Sequence, residues 1–304
     1  MQEYRIKVTS EEQGRRLDLF LMEFFLKASL AFSRSFIQKL ILQGKVRLEN
    51  AGLPKQHYKV KPGDTFIVQV DDKKRAALNA EDIPLDIVYE DQDLAVINKP
   101  AGLVVHPAPG NPEHTLVNAL LHRFPELSDI NPQRPGVVHR LDKETSGLLV
   151  IAKNNFTHLA LAKQFARHSI KRKYIAAVKG RVEFDENIIE LPIGRHPLKR
   201  KNMSVGFGKK TKPAMTKYRT LKRQAESSLL ELEPFTGRTH QLRVHLAFIG
   251  HPILGDDKYG KPGHAFSRMA LHAQSIGFIH PRTKKFMEFS SEVPKEFEGI
   301  FIKE

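Results

Sequence analysis

The stretch Gly136-Val-Val-His-Arg-Leu-Asp-Lys-Glu-Thr-Ser-Gly-Leu-Leu-Val-Ile-Ala-Lys153 decides how the rest of the chain is read. It closes in an unbroken apolar run, Leu148 to Ala152, rich in branched residues and entered through Gly147. A run of that kind bounded by glycine predicts a buried strand. Just upstream stand His139, Arg140 and Asp142, so the polar cluster belongs to a loop entering the core. There an acid and a guanidinium are costly to desolvate unless they pair or act. On spacing alone the same residues also suit an ordinary turn, with Asp142 capping its own backbone.

Outward from that loop, short β-branched segments alternate with turn residues. Strands are expected at Leu85 to Tyr89, Leu94 to Ile97, Val137-Val138, Leu148 to Ile151, Tyr174 to Val178, Leu229 to Leu232 and Ser275 to Ile279. Helical patterns intervene at Thr115 to Arg123 and Asn155 to Arg167. Strands and helices mixed without a strict βαβ rhythm argue for α+β rather than a doubly wound sheet.

Residues 12 to 72 read as a separate small unit. Leu17, Phe20, Leu21, Phe24 and Phe25 recur at helical spacing. A second helix is expected after Ser33, with Ser35 and Gln38 at capping-box spacing and Phe36, Ile37, Leu40 and Ile41 as its apolar stripe. Gly44 is placed to end it. Val46 and Leu48, then Phe66, Val68 and Val70, alternate as strands. Residues 73 to 80 are polar and read as a linker, and 81 to 304 as the second domain.

The 304 residues include 49 Lys and Arg against 34 Asp and Glu, a formal net charge of +15. That surplus points to a polyanionic partner, because phosphates attract clustered cations and binding releases counterions. There is no Cys, which excludes disulfides, thiolate metal sites and a Cys nucleophile. The run Leu19-Phe-Leu-Met22 is too short to span a bilayer and no secretory pattern opens the chain, so a cytoplasmic location is expected.

His139-Arg-Leu-Asp142-x-x-Thr145-Ser-Gly147 resembles the active-site signature of the RluA/RluD-type pseudouridine synthases. Ile97-Asn-Lys-Pro-Ala-Gly-Leu-Val-Val-His-Pro107, Arg172-Lys-Tyr174 and Gly237-Arg-Thr-His-Gln-Leu-Arg-Val-His245 look like the family's other motifs, in the family's order. The likeness spans about residues 80 to 290, Asp82 to Asp91 is most like the ribosomal RNA members, and the chain as a whole most resembles the large-subunit ribosomal RNA type. Residues 12 to 72 are similar to the αL RNA-binding domain, with Arg34, Lys39, Lys45 and Arg47 on the polar face. The resemblance implies a mixed, largely antiparallel sheet around a central active-site cleft.

It also implies the chemistry. Pseudouridylation breaks the ribose-to-uracil C–N bond, turns the base over and rejoins it through carbon, so redox level and atoms are conserved and neither cofactor nor metal is required. A single ionised carboxylate must act on sugar or base, as carboxylates do in glycosyl chemistry. Asp142 matches the family's catalytic aspartate, and Arg243 the position that salt-bridges it. Tyr174 matches the tyrosine that stacks on the target base. Arg140 matches the arginine that fills the vacated place in the RNA stack, since the uridine has to be flipped out. Arg238, Lys171 and Arg172 are expected on RNA, and Lys99-Pro-Ala-Gly102 as support for the pocket. The basic stretch from Lys199 to Lys212 is expected as a phosphate-gripping loop. Spacing alone would make Tyr174 a core residue and Arg243 a strand-edge surface residue.

Two other classes compete. A non-catalytic RNA-binding or ribosome-assembly protein on the same fold would have no need of Asp142, Tyr174 and Arg243 together. A metalloenzyme finds no support, because His240 and His245 are five apart and no His-Glu-x-x-His occurs. Gly208-Lys-Lys-Thr lacks the preceding glycine of a phosphate loop. The expected partner is therefore ribosomal RNA or the assembling large subunit, met by a monomer.

Overall fold

The computed structural model describes residues 2–28, 32, 34–49, 52–70, 78–108, 110–199, 202–208, 210–260 and 266–298. The N-terminal unit runs β1 (Gln2–Lys7), a single 3-10 turn (Ser10–Glu12), α1 (Leu17–Lys27), α2 (Arg34–Leu42), β2 (Val46–Leu48) and β3 (Thr65–Val70). Its strands form an antiparallel sheet in the order β1-β3-β2. Leu17, Phe20, Leu21 and Phe25 of α1 meet Ile37, Leu40 and Ile41 of α2 over Val46, Phe66 and Val68 in one buried cluster. Helical spacing on one side and alternation on the other turn these residues inward.

Two local expectations change. Strand β1 lies before residue 12 and pairs along β3 from Gln2↔Val70 to Lys7↔Thr65. Only Ile6 of that strand is fully buried, so its alternation is too weak to read. The Ser35–Gln38 capping box is not the start of α2, which begins at Arg34. Gln38 Nε2 donates instead to Asp18 Oδ2 at 2.7 Å. Ser33 and most of the expected linker (73–77) lie outside the described residues.

The second unit continues with β4 (Asp86–Glu90), β5 (Leu94–Lys99), α3 (Leu116–Arg123), β6 (Ser146–Ala152), α4 (Asn155–Ala166), β7 (Lys171–Lys179) and β8 (Glu186–Glu190). There follow β9 (Ile193–Arg195), β10 (Met203–Val205), β11 (Met215–Arg223), β12 (Ser227–Pro234), α5 (Gln241–Phe248), β13 (Leu271–Ile279), β14 (Phe286–Ser290) and α6 (Lys295–Glu298). Nine strands form one sheet, β4-β5-β6-β13-β7-β12-β11-β8, with β14 on β13. Among its strand pairs only β6 with β13 is parallel.

The central strands are buried on both faces, which is why β6 reads as continuous rather than alternating. Ala95, Ile97, Leu149 and Ile151 face α3 through Leu116, Val117 and Leu120. Leu94, Val96, Leu148 and Val150 face Leu161 of α4, with Ile276 and Phe278. Asn154 caps α4 by accepting from the Thr157 N–H at 2.9 Å.

Gly147 is required where the loop bearing Asp142 joins β6. Its φ is +108°, and a Cβ there would lie 2.2 Å from the Ala273 carbonyl oxygen of β13. No side chain larger than hydrogen fits that approach. Val137-Val138 is not a strand, because Val137 makes only an isolated bridge to Ile151. The expected basic loop contains a strand, since β10 pairs with β9 as a small hairpin. Arg200, Lys201 and Lys209 lie outside the described residues.

Candidate active site

The loop before β6 opens into a cleft of about 520 Å³ lined by Arg140, Asp142, Arg172, Tyr174, Arg238, His240 and Arg243 among others. Its walls come from five separated stretches: the loop 138–145, the end of α4, the start of β7, the segment from the end of β12 into α5, and Leu271 at the start of β13. The loop's shape is held from below by Lys99, a wholly buried lysine. Its ammonium donates to the carbonyls of Pro100 (2.7 Å), Leu103 (2.9 Å) and Lys143 (3.0 Å), and Gly102 N–H reaches the Lys143 carbonyl as well. Burial pushes the Lys99 amine down to about 8.

Arg243 lies on a helix, not at a strand edge. It is the third residue of α5, and its guanidinium joins two acids. Nη1 donates to Asp142 Oδ2 at 2.9 Å, while Nε and Nη2 donate to Asp256 Oδ2 and Oδ1 at 2.8 Å each. Asp256 is buried, and its Oδ1 also accepts from the backbone N–H of Lys258 and Tyr259. Burial alone would raise its carboxyl, but Arg243 and those N–H donors hold it below the usual carboxylate range. Burial likewise opposes charge on Arg243, and the two acids outweigh it. The arrangement is a carboxylate–guanidinium–carboxylate chain with Asp142 at its cleft end. The fork geometry of arginine permits this two-sided contact and lysine's point charge does not.

Sequence reading missed Asp256, since Gly255-Asp-Asp257 carries only a turn signal. Gly255 takes the left-handed conformation (φ +72°), and a Cβ there would strike the Arg268 carbonyl. His139 was visible in the motif, but its part is structural. Its ring stacks on Phe165 and Nε2 accepts from the Val150 N–H at 3.1 Å. Burial pushes it down to about 3, so the ring is neutral.

Tyr174 sits on β7 and lines the cleft, nearly buried, and that burial raises its phenol. Arg140 is exposed at the cleft. Arg172 lines the cleft, yet its Nη2 is held by the carbonyls of Pro234 (3.1 Å) and Thr236 (3.3 Å). Arg238 Nε donates to the Pro213 carbonyl at 2.9 Å. Lys171 does not line the cleft, and its ammonium lies 5.2 Å from the Phe286 ring centre.

Arg34, Lys39, Lys45 and Arg47 belong to the N-terminal unit, and none of them lines the cleft. Arg34 also braces that unit, pairing with buried Asp18 at 2.9 Å. Burial opposes the Asp18 charge, but hydrogen bonds from Arg16, Gln38 and Arg34 hold its carboxyl at about 2.

Among the described residues, Asp91, Asp93 and His280 are near enough to suggest a metal site. Their donors are already bonded within the protein. Asp93 takes a two-pronged contact from Arg282 at 2.5 Å, and Asp91 Oδ2 bonds both His280 and Tyr89.

A family model described as RNA pseudouridylate synthase matches residues 93–248, which include the whole loop, β7 and α5. The chain belongs to the RNA pseudouridylate synthase family. An uncharacterised RNA pseudouridine synthase of Aquifex aeolicus is 44% identical over 97% of this chain and 95% of that one. The ribosomal large subunit pseudouridine synthase D of Zymomonas mobilis is 42% identical over 98% and 96%. Among solved structures, human RNA pseudouridylate synthase domain containing 1 superposes with a TM-score of 0.59 at 28% identity, over 70% of this chain and 85% of that one. As a member of this family the chain is an isomerase. Among the described residues no helix is long and apolar enough to cross a membrane.

Proposed function

We propose that this pseudouridine synthase acts on uridines of large-subunit ribosomal RNA, with Asp142 as the reacting carboxylate. The observation that carries the reading is Asp142 itself, a carboxylate in the cleft with one oxygen held by Arg243 and the other open. The Arg243 contact holds the carboxylate in place at the cleft. The aspartate then acts on the flipped nucleotide as nucleophile or base. The glycosidic C–N bond breaks, the uracil turns, and a C–C bond forms through uracil carbon 5. The proton leaves carbon 5 and one returns to the ring nitrogen, so the balance closes without a cofactor.

Tyr174, in the wall, is suited to stack on the base, and exposed Arg140 to occupy its place in the RNA. Arg238, Arg172 and Lys171 extend the cationic surround. The N-terminal unit, through Arg34, Lys39, Lys45 and Arg47, adds phosphate contacts as an RNA-binding domain. The large-subunit target follows the name carried by full-length relatives. With it come a cytoplasmic location and a choice between free RNA and the assembling particle, engaged by a monomer.

The test is tritium release from ribosomal RNA labelled at uracil carbon 5, with wild type and Asp142→Asn, no metal added. Release by wild type alone supports the assignment. An equally active Asn variant removes Asp142 from the chemistry, and wild-type silence on both naked RNA and immature particles leaves a binding protein.

A further inference from the structure

We infer that His240 is a positioning residue for Asp142, its imidazole set by Tyr259 so that a neutral Nε2–H faces the carboxylate oxygen that Arg243 leaves open. The inference rests on the reading of Asp142 as the reacting carboxylate. His240 immediately precedes α5 and has left-handed backbone (φ 56°), which swings its side chain into the cleft rather than along the helix. Its Nε2 lies 3.8 Å from Asp142 Oδ1, on the other oxygen from the Arg243 contact.

The ring's second nitrogen supplies the argument for the tautomer. His240 Nδ1 is 2.7 Å from the Tyr259 hydroxyl, and that hydroxyl already accepts the Met203 N–H at 2.9 Å. Burial raises the Tyr259 phenol, so it keeps its hydrogen. Among the described residues His240 Nδ1 is the partner within reach of that hydrogen, so we assign the hydroxyl as donor to it. That assignment places the imidazole proton on Nε2, the nitrogen 3.8 Å from Asp142 Oδ1. Burial, with Arg243 and Lys258, pushes His240 down to about 4 against the pull of Asp142 and Asp256, so it is neutral near pH 7.

A neutral donor at this point has a use that a second cation would not. It can fix the direction of the carboxylate's lone pairs without suppressing its reactivity as another guanidinium would. At 3.8 Å the contact is too long for a hydrogen bond. Catalytic contacts of this kind tighten once substrate is bound. The relay starts on the β9–β10 hairpin, through Met203, so the hairpin's seating on Tyr259 fixes the ring.

The experiment compares wild type, His240→Asn, His240→Gln and Tyr259→Phe in single-turnover tritium release at saturating RNA, with RNA affinity measured separately. Asn suits the left-handed backbone but is too short to reach Asp142, whereas Gln places an N–H near the position of Nε2. We expect His240→Asn to slow the chemical step about 100-fold, the scale of a lost orienting contact, with RNA affinity within about threefold of wild type. His240→Gln recovers most of that rate, and Tyr259→Phe falls between the two. Full rate in His240→Asn, or a Gln variant as slow as Asn, overturns the inference while leaving Asp142 in place. A silent wild type overturns the reading of Asp142 and this inference with it.

Discussion

Replacing Asp256 with Asn tests the chain of charges that holds Asp142, the carboxylate proposed to react. Asp256 is wholly buried and receives four donors, two from Arg243 at 2.8 Å each and two from backbone N–H groups at 3.0 and 3.1 Å. An Asn must turn its amino group towards at least one of them, so one charge-assisted bond becomes a donor-to-donor clash and the negative charge disappears. Removing one partner of a buried ion pair costs about 3–5 kcal/mol. Arg243 keeps Asp142, so the lower end, about 3 kcal/mol, applies. In a unit of this size that lowers Tm by about 6–12 °C, at roughly 2–4 °C per kcal/mol. The guanidinium, no longer anchored by Asp256, shifts and carries the bonded Asp142 with it. A displacement of about 1 Å is enough to cost about 100-fold in rate. Thermal unfolding by circular dichroism and single-turnover tritium release would measure the two effects. A Tm within about 2 °C of wild type together with an unchanged rate would refute the claim that Asp256 orients Arg243.

Other expectations are simpler. Gly147→Ala should cost more than about 4 kcal/mol, because its Cβ meets the β13 backbone at 2.2 Å, and a soluble, fully active variant would contradict the parallel β6·β13 pairing. His139, His158 and His272 are pushed by burial from 6.5 down to about 3, 4 and 4. The unfolded chain binds more protons there, so stability is complete above about pH 6.5 and falls as pH drops towards 4. The Asp18 contribution survives until the pH falls below about 4, because its folded carboxyl sits near 2. A Tm flat from about pH 7 to pH 4.5 would sink the neutral assignments. Lys39→Ala and Arg47→Ala should each lower the salt dependence of RNA binding by about one counterion while sparing the chemical step. Arg34→Ala should in addition lower Tm, because it strips a partner from Asp18.

The local patterns of this chain were legible because each sits within a few residues. The apolar run at Leu148 became β6, Thr115 to Arg123 and Asn155 to Arg167 became α3 and α4, and the loop between Val137 and Gly147 carries its acid into the cleft. The motif residues were visible for the same reason, although a motif shows residue order and not contact. Where the signal was thin, reading failed. Strand β1 buries one residue fully, Leu242, Val244 and Leu246 of α5 alternate as a strand's apolar residues would, and β10 is a three-residue strand inside a charged stretch.

Sequence by itself determined the α+β character, the basic surplus and the loop that bears Asp142, since composition and periodicity are properties of neighbours along the chain. Tertiary structure alone decided what meets that loop. Arg243 comes from 101 residues away to bond Asp142, Asp256 from a further 13 to hold Arg243, and Ala273 from another segment to demand a glycine at 147. Those partners are chosen by strand order and by the need to pair buried charge, and neither leaves a period in the sequence.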